Sequence, residues 1–216
     1  VRELMVLWGK MPLASNPDGF FGHAVIDLMK RGAKLVTIDP RVNWLATRSV
    51  VQLRLRNGTD AALAMAMCNI LIKEDLYDHD FIERWCYGFD EFAERVAYMT
   101  PEKAAEICEV PVDDIYRVAR MYAAAKPASI AWGLAFDQNT NGMQAGQCVL
   151  AMICMTGNLD VPGGNIVADL SMPEDLTGDA AAGQSAHNTD TRSFITEGWY
   201  QMTDEERAEC IGMDKY

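Results

Sequence analysis

Two short stretches decide the fold of this chain: LMVLWGKMP at residues 4–12 and LVTIDPR at residues 35–41. Each begins as a continuous apolar run and ends abruptly in residues suited to a loop. The segment between them places apolar residues at helical spacing and closes with KRG at residues 30–32. A strand, a helix and a strand of this length form a βαβ unit, with parallel strands and a right-handed crossover.

Both strand runs lack polar alternation, which is typical of strands covered on two faces. An alternating run at residues 50–55 and an apolar run at residues 128–132 predict a third and a fourth strand. The predicted fold class is therefore α/β: a three-layer, mainly parallel Rossmann-like sheet with helices on both faces. Further helices are predicted to start at Thr59, Asp78, Thr100 and Pro111 and to cover residues 144–155.

The composition is that of a soluble globular protein, with half of the 216 residues apolar and 23% charged. No apolar run approaches the roughly 20 residues of a membrane helix. The chain begins with Val1 and carries no signal core, so we interpret it as an internal piece of a longer protein. Cytoplasmic and exported periplasmic locations both stay open.

The net charge of −12 is unevenly distributed and suggests two regions. Residues 1–168 carry 20 acids and 16 bases, whereas residues 169–216 carry 11 acids and 3 bases. We predict an α/β domain over residues 1–168 and an acidic, mostly irregular extension over residues 169–216. Binding to nucleic acid requires a basic surface, so this balance argues against it.

The six cysteines show no C-x-x-C spacing and have no neighbouring histidine. A zinc or iron–sulfur site built from this chain alone is therefore disfavoured. Most of the cysteines occupy apolar positions of predicted helices, which favours buried reduced thiols over disulfides. The three histidines are interpreted as surface or hydrogen-bonded residues rather than bases.

The loop after the first strand is the first candidate ligand site. Gly9 permits close approach of a ligand to the backbone, Lys10 supplies a charge for a phosphate, and a helix start follows. The loop is predicted to run about ten residues, longer than is usual. It matches neither G-x-G-x-x-G nor a P-loop. The plainer alternative for Lys10 is a solvated surface lysine.

Two later strand ends repeat this theme, with Asp39 and Arg41 after the second strand and Asp60 after the third. In parallel sheets ligands bind beyond the carboxyl ends of the strands, where an acid commonly binds ribose hydroxyls. Asp60 has the chemistry to accept N–H groups from a guanine edge. The alternatives are a simple turn at Asp39 and a helix-stabilising first-turn acid at Asp60.

An ordered series of motifs resembles the molybdopterin oxidoreductases of the dimethyl sulfoxide reductase type. The series is WGKMP at 8–12, IDPR at 38–41, NGTDAAL at 57–63, WG at 132–133 and TGNLDVPGGN at 156–165. The resemblance covers about residues 4–166. It implies a large enzyme whose molybdenum or tungsten ion is held by two molybdopterin guanine dinucleotides (bis-MGD). This chain is identified as its central α/β domain, which cradles one dinucleotide.

The resemblance also implies roles for individual residues. Gly9, Lys10 and Pro12 line the dinucleotide phosphates. Asp39, Pro40 and Arg41 lie at the ribose and guanine, and Gly58 and Asp60 complete that pocket. Gly133 and Gln138 reach toward the pterin. Met11 stands where the family usually has Asn, and Asn57 where it usually has Pro.

The resemblance places the remaining machinery elsewhere in the protein. The metal ligand and an iron–sulfur cluster lie upstream, and a C-terminal domain holds the second MGD, so no catalytic or metal-binding residue is assigned here. The implied function is oxygen-atom or two-electron transfer on a small substrate, as in anaerobic respiration, with an electron-transfer subunit as partner. Three alternatives stay open: a metal-free scaffold, non-redox hydration or hydroxyl transfer, and a thiamine-enzyme-like nucleotide domain.

Overall fold

A computed structural model describes residues 3–15 and 20–166. Its sheet consists of β1 (Leu4–Trp8), β2 (Lys34–Ile38), β3 (Val51–Leu53) and β4 (Ala128–Trp132). The strand order is β3-β2-β1-β4, and every neighbouring pair is parallel. Trp8 is paired with both Ile38 and Trp132, so β1, β2 and β4 end level with one another.

The helices of the described residues are numbered in chain order. They are α1 (Pro12–Ser15), α2 (Phe20–Lys30), α3 (Asp60–Lys73), α4 (His79–Trp85), α5 (Phe89–Ala97), α6 (Pro101–Cys108), α7 (Val112–Ala124), α8 (Leu134–Asp137) and α9 (Gly142–Met155). A 3-10 turn at Ala46–Arg48 lies between β2 and β3.

Helices cover both faces of the sheet, as predicted. All five residues of β1 are buried, and alternate ones point to opposite faces. Met5 and Leu7 pack with Val25 of α2 on one face. Val6 and Trp8 belong to the larger core on the other face, with residues of α3, α6, α7 and α9. The three-layer α/β prediction is confirmed, and the sheet is parallel throughout the described part of the chain.

Helix starts were predicted from capping residues, and two of these predictions are confirmed by geometry. Asp78 accepts a hydrogen bond from a first-turn amide of α4 at 3.0 Å, and Thr100 does so for α6 at 3.2 Å. Thr59 does precede α3, but its hydroxyl donates to the carbonyl of Arg56 at 2.6 Å. Thr59 is therefore the N-cap residue of α3, as predicted, but its side chain does not cap the helix.

Three boundaries differ from the sequence prediction. β3 ends at Leu53 rather than at residue 55, because the chain then turns and the amide of Arg56 donates to the carbonyl of Cys108 at 2.8 Å. The predicted long loop after β1 contains α1, since Pro12 begins a helical turn. Helix α9 starts at Gly142 rather than at residue 144.

β4 is an edge strand, and two asparagines cover its free edge. Asn158 Oδ1 accepts a hydrogen bond from the amide of Ala128 at 2.9 Å. Asn165 binds Ile130 twice, accepting from its amide at 2.9 Å and donating to its carbonyl at 2.8 Å. Within the described residues, these side-chain amides pair with backbone groups on the free edge of β4, as the backbone of a fifth strand would.

Other sequence predictions concern cysteines and the extension. The five cysteines in the described residues are free thiols, and three of them are buried, as predicted. Within the same residues no helix is long and apolar enough to cross a membrane. No cluster of three or more His, Cys, Asp or Glu there is placed to hold a metal ion. The predicted boundary at residue 168 and the acidic extension lie outside the described residues.

Candidate nucleotide-binding site

Two glycines bring the loops after β1 and β4 into contact at the carboxyl edge of the sheet. A Cβ atom on Gly133 would lie 2.4 Å from the carbonyl oxygen of Gly9 and 3.3 Å from the Cα of Lys10. The amide of Gly133 donates to the carbonyl of Trp8 at 3.1 Å, and that of Gly9 to the carbonyl of Ile38 at 2.8 Å. Only glycine fits at position 133, and the ends of β1, β2 and β4 form one continuous edge.

Asp60, the first residue of α3, joins this edge through both carboxylate oxygens. Its Oδ1 accepts a hydrogen bond from the indole Nε1 of Trp8 at 2.8 Å. Its Oδ2 accepts one from Nδ2 of Asn139 at 3.1 Å. Burial raises the pKa of the Asp60 carboxyl above its usual 3.8, and the hydrogen bond from Trp8 opposes that rise. Two residues from separate parts of the chain, Trp8 and Asn139, therefore converge on one buried acid.

The raised pKa of Asp60 predicts a pH-dependent contribution to stability. Between the usual value and the raised one, the native state binds the proton more tightly than the unfolded state, so ionisation destabilises the fold as pH rises. The unmodified chain should therefore lose free energy of unfolding as pH rises from about 4, whereas Asp60→Asn lacks this ionisation. The difference in free energy of unfolding between the two proteins should shift in favour of the variant over that range. Urea denaturation at a series of pH values measures this difference. A difference that stays constant across the series would contradict the prediction.

Asp39 and Arg41 form a compact turn at the end of β2. Oδ1 of Asp39 accepts a hydrogen bond from the backbone amide of Arg41 at 2.8 Å and lies 3.6 Å from its Nε. The Asp39 side chain is 4% exposed and that of Arg41 74%. The side-chain amide of Gln52 in β3 donates a hydrogen bond to the carbonyl of Arg41 at 2.9 Å and so stabilises the turn. The turn presents a guanidinium at the edge of the sheet, with the neighbouring Pro40 also exposed.

The residues predicted along the phosphates lie in the loop between β1 and α2. The ammonium of Lys10 lies 5.2 Å from the centre of the Phe21 ring, a cation–π contact that restrains a half-buried side chain. Pro12 is buried as the first residue of α1, which gives it a structural role beside the predicted one. Met11 packs into the smaller core, and an Asn there would not pack in the same way.

The remaining predicted residues lie on two neighbouring loops. Gly58 has φ +80°, a left-handed conformation that favours glycine, and a Cβ there would lie 3.7 Å from Oδ1 of Asn139. Gln138 is exposed at the end of α8. The structure therefore places Gly58, Asp60 and the loop after β4 together, on the side of the sheet edge to which Trp8 points.

Sequence reasoning missed Trp8 and Asn139 as members of this site. The apolar pattern places Trp8 in the buried strand, and Asn139 is one of several polar residues in a predicted loop. A buried tryptophan usually finds an acceptor for its N–H, which is the one signal that pointed to a partner such as Asp60. Nothing local distinguishes Asn139 from its neighbours, because its partner lies 79 residues away.

Taken together, the edge offers both kinds of group that a nucleotide needs. Lys10 and Arg41 favour anions such as phosphate. Asp39, Asp60 and Asn139 supply acceptors for the hydroxyl and N–H groups of a nucleoside. The described residues support binding and orientation at this edge rather than acid–base or metal chemistry.

Comparison with known proteins identifies the family to which this chain belongs. The molybdopterin oxidoreductase family model matches residues 3–200. Formate dehydrogenase H of Escherichia coli is 34% identical over 160 residues, which cover 74% of this chain and 22% of that protein. Dimethyl sulfoxide reductase DmsA of Haemophilus influenzae is 32% identical over 185 residues, which cover 76% of this chain and 23% of that protein.

A third relative is not named as a redox enzyme. Acetylene hydratase of Syntrophotalea acetylenica is 43% identical over 127 residues, 58% of this chain and 17% of that protein. The solved structure of acetylene hydratase from Pelobacter acetylenicus superposes on this chain with a TM-score of 0.68 and 35% sequence identity. The match covers 72% of this chain and 21% of the acetylene hydratase chain. The chain spans about a fifth of the length of these relatives. By the family match and these similarities, the chain belongs to the molybdopterin oxidoreductase family, and membership implies a molybdenum or tungsten pterin cofactor.

Proposed function

We propose that this chain is the central cofactor-binding domain of a molybdenum or tungsten bis-MGD enzyme of the dimethyl sulfoxide reductase type. Its part is to hold one of the two dinucleotides. The whole enzyme transfers an oxygen atom or two electrons to or from a small substrate. The observation that carries the proposal is the buried Asp60 carboxylate, held between Trp8 at the end of β1 and Asn139 after β4.

The residues at the sheet edge fit such a dinucleotide. Gly133 and Gly9 approach so closely that a side chain at position 133 would separate their loops, and Gly58 leaves open space beside Asn139. Backbone without side chains, next to cations and paired acceptors, matches a ligand with phosphates, a ribose and a base.

Each residue has a proposed task. Gly9, Lys10 and Pro12 line the phosphates, and Asp39, Pro40 and Arg41 surround the ribose and guanine. Gly58 and Asp60 complete the guanine pocket, and Gly133 and Gln138 extend toward the pterin. When bound, the cofactor supplies a metal that changes oxidation state by two electrons. The chain itself binds, orients and shields the ligand from water.

The parts that complete the enzyme belong to the rest of the protein. We place the metal ligand and an iron–sulfur cluster in an N-terminal region, and the second dinucleotide in a C-terminal domain. Electrons then pass to a separate electron-transfer subunit. The length of the relatives, about five times the matched segment, supports this division of labour.

Non-redox hydration is the second candidate function. It is favoured by one observation, the 43% identity to acetylene hydratase. The two candidates differ in electron balance, since redox turnover reduces or oxidises a viologen dye in proportion to the substrate converted. Hydration adds water to an unsaturated bond with no net electron transfer. Dye and product measured in the same reaction distinguish them.

Removing the two acids at the edge should empty the site in the full-length protein. We expect Asp39→Ala with Asp60→Ala to lower molybdenum or tungsten and bound guanylate together by about tenfold or more, because both supply hydrogen bonds to a buried ligand. Metal analysis and guanosine monophosphate released by acid hydrolysis measure the two quantities.

The matched control is Glu94→Ala with Glu106→Ala, which removes the same charge from two exposed positions and should leave cofactor content unchanged. Circular dichroism shows whether both double variants are folded. Unchanged cofactor content in the folded Asp39 and Asp60 variant would contradict the assignment of the pocket. An unmodified protein with neither metal nor guanylate would identify a metal-free scaffold instead.

A further inference from the structure

The side-chain amide of Asn139 has a determined orientation. Its Nδ2 donates to Oδ2 of Asp60 at 3.1 Å and to the carbonyl of Ala135 at 2.9 Å. An amide nitrogen carries two hydrogens, so both are used. Reversing the amide would place its oxygen against two acceptors. Asn139 Oδ1 therefore points away from Asp60 and Ala135.

The oxygen of this amide faces the space above Gly58. A Cβ on Gly58 would lie 3.7 Å from Asn139 Oδ1, so the glycine leaves that position empty. Within the described residues, no hydrogen bond to this oxygen is formed. Asn139 is half-buried, whereas Gly58 is exposed. An oriented acceptor thus stands beside an opening that solvent or a ligand can enter.

Asp60 provides a second acceptor in the same place. A carboxylate has about four lone-pair positions, and the two hydrogen bonds from Trp8 and Asn139 occupy one on each oxygen. Both acceptors are supported by hydrogen bonds to rigid elements, since Trp8 ends a buried strand and Asp60 begins α3. A rigid pair of acceptors selects a ligand that presents adjacent N–H donors.

We propose that Asn139 is a guanine-selecting residue, whose Oδ1 accepts an N–H from the base of the dinucleotide beside Asp60. This inference rests on the proposed function. Guanine presents a ring N–H and an amino group on one edge, whereas adenine carries a ring nitrogen acceptor at the matching ring position. Bound adenine would place its ring nitrogen acceptor against Asp60 and Asn139 Oδ1 and leave these two acceptors without hydrogen bonds. Unpaired buried polar groups discriminate between ligands more strongly than a change in apolar contact does.

The experiment titrates the full-length protein, purified without cofactor, with guanosine diphosphate (GDP) and adenosine diphosphate (ADP). We expect GDP to bind more tightly than ADP. Asn139→Ala should lower the affinity for GDP by about tenfold and leave that for ADP unchanged. Thr140→Ala, at the next and exposed position of the same loop, should change neither affinity.

A second variant separates contact with the base from support of Asp60. Gly58→Asn places an amide over the open space, within reach of Asn139 Oδ1, while both hydrogen bonds to Asp60 remain. Asparagine tolerates the left-handed backbone better than other side chains do. We expect this variant to lose GDP affinity as Asn139→Ala does, with an unchanged melting temperature within a few degrees.

The outcomes distinguish this inference from the proposed function. One outcome is that GDP binds preferentially while neither variant changes the ratio of GDP to ADP affinity. In that case Asn139 only stabilises its own loop, so the inference is wrong and the proposed function is unaffected. If only Asn139→Ala has an effect, Asn139 acts by holding Asp60, and direct contact with the base is refuted. If the unmodified protein shows no preference for GDP, the guanine pocket itself is wrong and both fall.

Discussion

Replacing Gly133 by alanine is expected to separate the loops after β1 and β4 and to release the cofactor from the full-length protein. The new Cβ would lie 2.4 Å from the carbonyl oxygen of Gly9 and 3.2 Å from its carbonyl carbon. These are backbone atoms, which cannot rotate aside as a side chain does. We expect a loss of about 3 kcal/mol or more in free energy of unfolding, as for a severely overpacked site.

Gly146→Ala is the matched control for Gly133→Ala. Gly146 lies in α9, and a Cβ there meets nothing within 4 Å. Alanine is the better helix former by about 0.5–1 kcal/mol, so this variant should be slightly more stable than the unmodified protein. Thermal denaturation and metal content are measured for both. A Gly133→Ala protein with normal melting temperature and full metal content would refute the close contact of the two loops.

Replacing Asn158 by leucine is expected to open the edge of β4. Asn158 is fully buried; its Oδ1 accepts from the amide of Ala128 and its Nδ2 donates to the hydroxyl of Thr156, both at 2.9 Å. Leucine has a similar volume but leaves that amide buried without a partner. We expect a cost of about 3 kcal/mol, which lowers the melting temperature by roughly 6–12 °C in a chain of this size.

The same substitution at Asn57, an exposed residue of the turn before α3, tests whether the effect depends on burial. Asn57→Leu should change the free energy of unfolding by no more than about 0.5 kcal/mol. Melting temperatures of both variants and of the unmodified chain provide the comparison. Equal, small effects at the two positions would mean that β4 does not depend on Asn158.

The sequence predicted the elements whose causes are local. The continuous apolar runs of β1 and β2 are visible because a strand covered on both faces needs no polar alternation. Asp78 and Thr100 were identified as caps because the helix N–H groups they bind lie within three residues. The carboxyl-edge position of Asp39 also followed, since it depends only on where a parallel strand ends. The family resemblance came from the order of such short motifs.

Tertiary structure decided which of these polar residues meet. The strand order β3-β2-β1-β4 brings β4, from the far end of the domain, beside β1. Because β4 lies beside β1, Asn139 forms a hydrogen bond to Asp60, which is 79 residues away in the chain. Trp8 forms another to Asp60, which is 52 residues away. At Thr59 the local pattern predicted a side-chain cap, but the hydroxyl donates to the carbonyl of Arg56 instead of accepting a hydrogen bond from the helix.

By itself, then, the sequence determined the α/β class, the strands at the centre of the sheet and the residue types at their ends. Only the folded chain decided that Gly133 lies against Gly9, that Asn158 and Asn165 close the edge of β4, and that Asn139 orients an acceptor toward Gly58. The reason is physical: secondary structure depends on neighbours within a few residues, whereas hydrogen-bond partners in a site depend on packing between segments far apart in the chain.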